Sequence, residues 1–174
     1  MTCNDWLSRS TTIIGSDGKT YSVSKYQGVY FVDFGDFIFN ATLSLDGVLT
    51  FDGNEFGEDN DWRVPVNFEE LMGKAIDHFG IQNIKKIKEV IYPKTIDYRI
   101  YETALNKVFS ADAAAFRTSV GHFALKSGFN FVIISEPNSF GAIQFYFTKT
   151  KPSEVRFGRG TEWIYIRFTR FANI

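Results

Sequence analysis

From Lys19 to Asn54 the chain reads KTYSVSKYQGVYFVDFGDFIFNATLSLDGVLTFDGN, short β-branched and aromatic runs cut by Gly, Asn and Asp. Such punctuation predicts successive strands joined by tight turns. LSLDGVLTF places Asp46-Gly47 between two alternating runs, the composition preferred for a two-residue turn with positive φ. IIGSDGKTYSV repeats that signal at Asp17-Gly18.

The period then changes. Phe68, Leu71, Met72, Ala75, Ile76 and Phe79 recur at helical spacing and mark a core-facing stripe. Asn67 suits the N-cap, Glu69 and Glu70 suit the first turn, and Gly80 suits the stop. His78 lies on the flank of the stripe, where a histidine packs or hydrogen-bonds locally. KKIKEVIYP reads as a strand ended by Pro93, and TIDYRIYETALNKVF as a short helix. SADAAAFRTSVGHFALKSG reads as one longer helix, started by Ser110 and Asp112 and stopped by Gly128. FNFVIIS, GAIQFYFTKT, EVRFG and EWIYIRFTRF return to β.

Strands and helices do not alternate strictly, so a doubly wound parallel sheet is disfavoured. The order predicts an α+β fold: a mostly antiparallel sheet with N-terminal β hairpins and about three helices packed on one face. With 174 residues and no internal repeat or low-complexity linker, residues 1–174 are expected to form a single domain. It would be β-rich over 11–56, helical over 67–127 and β-rich again over 129–171.

Composition refines this picture at a few points. Aromatic residues make up 17%, 19 of them phenylalanine, which suits half-buried sheet faces and a β-rich core. The single cysteine, Cys3, cannot form an internal disulfide. No hydrophobic run is long enough to span a bilayer, and MTCNDWLSRSTT lacks the basic start and apolar stretch of a secretory signal. A cytoplasmic location, or delivery by a specialised secretion system, is the expectation. The net charge of −1 is unevenly spread: residues 1–63 hold four Lys/Arg against ten Asp/Glu, and residues 149–174 hold six against two. Opposite-signed ends imply an internal electrostatic contact or a basic surface facing an anionic partner.

Few motifs point to chemistry. The acidic loop FDGNEFGEDNDWRVP invites a calcium reading, but Phe56 breaks the alternate-ligand register after Asp52 and Asn54. No segment has metal-ligand spacing, and no cofactor is expected. Gly158 and Gly160 in FGRGTEW read as a hairpin turn. RFTRF alternates basic and aromatic residues, a pattern that can bind single-stranded nucleic acid, although period-2 geometry splits Phe168 and Arg170 from Arg167 and Phe171.

The best candidate surface lies on the third helical segment. Phe116, Val120 and Phe123, joined by Ala113 and Ala124, cluster on the side expected to be buried. Ser119, His122 and Lys126 form a separate row at spacings of three and four, with Thr118 one turn before His122. A hydroxyl beside an imidazole makes a nucleophile–base pair, and a lysine stabilises a developing anion. Arg117 falls at the far edge of the apolar face. Glu102 is a candidate for the orienting acid, with Tyr98 and Arg99 nearby on the preceding helix. The opposing expectation is that this row is a solvated helix face, because geometry rather than residue type identifies a site.

Residues 68–149 resemble the C-terminal toxin modules of bacterial Rhs-type polymorphic toxins. The resemblance rests on a helix ending HFG, the strand IKEVIY, and AAAFRTSVGHFALKSGFNFVII leading to GAIQFYFTK. Ala114-Ala115, Thr118, Gly121 and Gly128-Phe129 fit that pattern, whereas His122 follows Gly121 where the group has lysine. The resemblance implies a bacterial effector or toxin-like domain, a nuclease or nucleotide-directed enzyme, with RNA or a nucleotide as target and an immunity protein as partner. An ADP-ribosyltransferase is disfavoured, since the RTS triplet lies on a predicted helix and no Glu-x-Glu occurs. The alternative from another class is a non-catalytic module whose aromatic-rich sheet binds a protein partner or a glycan.

Overall fold

A computed structural model describes residues 11–26, 28–35, 38–53, 66–107 and 109–150. Cys3, most of the acidic loop, the Gly158 and Gly160 turn, RFTRF and the last two expected strands lie outside the described residues. The chain forms two compact units, residues 1–84 and 85–174. Both mix antiparallel strands with helices, as an α+β fold requires.

In the first unit the strands β1 (Thr11–Ile14), β2 (Thr20–Tyr26), β3 (Val29–Asp33), β4 (Ile38–Leu43) and β5 (Val48–Gly53) form an antiparallel meander. Alternation sends Val23, Val32, Phe39 and Ala41 to one buried face. Both Asp-Gly turns are hairpins, but each has a three-residue loop rather than two. Gly18 N donates to Gly15 O and Gly15 N to Lys19 O, with the same pattern at Gly47, Ser44 and Val48. Only the glycine of each pair is left-handed, at φ 76° for Gly18 and 84° for Gly47. A type I turn closed by one left-handed residue gives this loop, and the aspartate stays in an ordinary conformation.

Helix α1 (Phe68–Phe79) covers β4. Asn67 caps it by accepting from Glu69 N at 2.9 Å, and Gly80, at φ 78°, ends it. Leu71, Met72, Ala75, Ile76 and Phe79 are buried, as their spacing predicts. Phe68 meets Phe39 edge-on with ring centroids 5.5 Å apart, and His78 packs between Tyr30 and Phe79.

In the second unit β6 (Lys86–Ile91) and β7 (Phe131–Ile134) flank β8 (Ile143–Thr148), all antiparallel. Helices α2 (Ile96–Asn106), α3 (Ala111–Ala115) and α4 (Ser119–Lys126) accompany them. Tyr101 packs on Phe145 and Phe116 on Phe147, so the helices cover the strand face that carries Ile87, Phe145 and Phe147. The single helix expected from Ser110 to Gly128 is in fact two. Phe116 and Arg117 form a turn, and Thr118 takes extended backbone (φ −63°, ψ 161°).

Two outcomes follow from this packing. Phe79→Ala should lower stability by about 3–5 kcal/mol, the usual cost of deleting a buried phenylalanine, read as a fall in urea midpoint. Burial, reinforced by the charge of Glu70, pushes the Tyr30 hydroxyl up to about 12. The unfolded chain then gives up that proton first, at about 10. Tyr30 therefore contributes stability in full below about pH 10, lost as the pH rises to about 12. Tyr30→Phe should flatten that alkaline decline in urea midpoints measured at pH 9 and 11.

Candidate functional site

The site is built where the sequence pattern breaks. Thr118 is fully buried and caps α4 by accepting from Gly121 N at 3.1 Å. Its hydroxyl lies 2.7 Å from Glu89 Oε2 and 2.8 Å from Ala115 O. Glu89 projects from β6 in the same phase as Ile87 and Ile91, and only 5% of it is exposed. A buried carboxylate needs hydrogen bonds to be tolerated, and Thr118 supplies one.

Asp97 stands in the first turn of α2 and is also 5% exposed. Its Oδ1 accepts from Ser119 N at 2.7 Å and from Ser119 Oγ at 3.0 Å. One carboxylate thus faces the positive ends of two helices, its own and α4. Thr118 and Ser119 each bond a buried carboxylate from a different element, and together they fix where α4 begins. Asp112, in the first turn of α3, is a third buried acid. Burial first, then the charge of Asp112, raises the Tyr101 hydroxyl above its ordinary value.

Beyond this anchor an open groove of about 820 Å³ lies against α2, α3 and α4. Along α2 and its C-cap it is lined by Ile96, Arg99, Ile100, Thr103, Ala104 and, at the cap, Lys107, at spacings of three and four. Ala113, Phe116 and Leu125 give it an apolar lining, while Arg117 and His122 add charge and an imidazole. Arg117 stacks over the Phe109 ring, 4.2 Å from its centroid. Among the described residues three cations and a histidine line the groove, and no carboxylate does.

The sequence-derived stripe is divided by this geometry. His122 is exposed and lines the groove. Ser119 and Lys126 are exposed on the same helix but outside the groove lining. Thr118 is not on the surface at all; it is a core cap. Glu102, exposed on α2, and the half-buried Tyr98 do not line the groove either. The acid that reaches the stripe is Asp97, and it takes Ser119 rather than His122. The expected hydroxyl–imidazole pair is therefore not assembled.

Lys107 and Arg117 belong to the groove and do not follow from the helical wheel. Arg117 escapes it because the wheel assumes one continuous helix, and the turn at Phe116–Thr118 re-aims it. Glu89 had a legible signal: in KIKEVI the acid occupies the buried phase between Ile87 and Ile91. Among the described residues no group of three His, Cys, Asp or Glu is placed to hold a metal ion, and no helix is long and apolar enough to cross a membrane. Comparison of the chain with protein-family models, curated proteins and solved structures finds no match.

Gly121 is what lets α4 start so close to α3. A Cβ there would overlap the Ala115 carbonyl oxygen and sit 2.7 Å from Thr118 Oγ1. Exchanging Gly for Ala inside a helix ordinarily gains about 1 kcal/mol. Here Gly121→Ala should instead cost about 1–3 kcal/mol, as forced overpacking does. Calorimetric melting of the variant, with a lower Tm than the parent, is the expected result.

Proposed function

We propose that the chain is a toxin-like effector domain directed at RNA, with the α2–α4 groove as its site and His122 as its acid–base group. The carrying observation is the composition of the groove, where Arg99, Lys107, Arg117 and His122 surround an apolar lining with no carboxylate among the described residues. Such a surface suits a ligand with anionic phosphates and flat, weakly polar bases. The resemblance of residues 68–149 to Rhs-type toxin modules agrees with this reading.

The chemistry is phosphoester cleavage by the RNA's own 2′-hydroxyl. The His122 imidazole takes the 2′ proton, and O2′ attacks the adjacent phosphorus. A P–O2′ bond forms, the P–O5′ bond breaks, and water protonates the departing 5′ oxygen. Products are a 2′,3′-cyclic phosphate and a 5′-hydroxyl. Arg117 or Lys107 offsets the charge that builds on the phosphoryl oxygens.

A second reading has its own support. Ser119 is bonded to Asp97, and no acid from Tyr98–Glu102 joins His122 in the groove lining, so the groove also suits binding without turnover. In this reading the domain holds its partner and leaves it intact. The expected result for the enzyme is growth arrest on expression inside a bacterium, with RNA cleavage in vitro lowered at least about 100-fold by His122→Ala. RNA affinity should change little in that variant. Binding without cleavage in the parent chain would establish the second reading, and absence of both would end the RNA assignment.

A further inference from the structure

We propose that the groove takes a single-stranded RNA chain laid along α2, rather than a free nucleotide. The inference rests on the RNA-directed reading of the same groove and concerns how many phosphates it engages. Arg99 and Lys107 both line it, eight positions apart along one face of α2 and its C-cap. At helical rise their backbone positions are about 12 Å apart. Between them the face is Ile100, Thr103 and Ala104, which carry no charge.

A mononucleotide concentrates its phosphates on one sugar oxygen and cannot present separate charges to both ends of such a face. A polynucleotide carries one charge per residue. A stacked strand rises about 3.4 Å per nucleotide, so three to four nucleotides match the interval. The uncharged stretch between the cations then faces sugars and bases. The third cation, Arg117, is stacked on Phe109, and this ring–guanidinium pair gives a nucleobase a flat surface to stack on. Thr103, the hydroxyl residue of the lining, stands midway along the track, where a ribose 2′-hydroxyl finds a partner.

The test is fluorescence anisotropy of the full chain with a labelled single-stranded hexaribonucleotide over a salt series, with unlabelled competitors. Expected are competition at least tenfold stronger by the unlabelled hexamer than by AMP or inorganic triphosphate, and weak competition by polyglutamate. Arg99→Gln and Lys107→Gln, both at exposed positions, should each weaken binding several-fold. Each should also flatten the log–log salt slope by about 0.7, the value for one lost contact to a single strand. Lys74→Gln, in the first unit, serves as the charge-matched control and should leave both unchanged. AMP competing as well as the hexamer would overturn the strand assignment, as would polyglutamate doing so. Binding that persists unaltered in both the Arg99 and the Lys107 variants would overturn the α2 track while leaving the RNA reading standing. Failure of the parent chain to bind the hexamer at low salt would remove that reading and this inference together.

Discussion

Much of the second unit depends on a single hydroxyl. Thr118 Oγ1 has one proton, and two acceptors lie within reach of it, Glu89 Oε2 at 2.7 Å and Ala115 O at 2.8 Å. The same oxygen accepts the Gly121 N–H that opens α4. Strand, preceding helix and following helix are therefore tied at one buried atom. Low dielectric strengthens these bonds and makes losing any one of them expensive. The turn they enforce separates α3 from α4, sends Arg117 towards Phe109 and puts His122 on the groove wall. Without it, a continuous helix would carry these side chains elsewhere.

Asp97 reinforces the arrangement from α2. Because its Oδ1 holds both the N–H and the hydroxyl of Ser119, the two helices that wall the groove are joined at one end. The charge is placed where helix dipoles favour it, so the clasp needs no cation. Among the described residues, buried acids thus sit beside a groove lined by none. Asp97 and Asp112 are turned inward at helix starts, while Arg99, Lys107 and Arg117 line the groove.

Local rules made most of the fold legible. Asn67, Gly80, Ser110 and Gly128 stand at helix ends as their chemistry requires, and β6, β7 and β8 lie where the apolar runs predict. The helix break was missed because Thr118 is a moderate helix residue whose role as a cap is decided by a partner 29 positions away, Glu89. Hairpin loops were misjudged by one residue, since Asp-Gly suits two turn types and strand register chooses between them. The candidate site was legible only in part. His122 could be singled out as a rare residue on an exposed face, but its neighbours in the groove come from α2, Phe109 and the turn before α4. No one-dimensional pattern joins those segments.

The antiparallel pairings also differ in how soon they can form as the chain leaves a ribosome. Every pairing in the first unit joins consecutive strands, so each hairpin can close shortly after its second strand emerges. In the second unit the β6–β8 pairing cannot form until β8 has been made, because Ile91 pairs with Ile143 across the whole helical stretch. Loop closure over that distance is slow compared with hairpin closure. Until then β6 displays Ile87 and Ile91 beside an unsatisfied backbone edge, the kind of surface that draws chains into aggregates. The lysines at 86 and 88, which alternate with those isoleucines, put charge on this strand during the vulnerable interval.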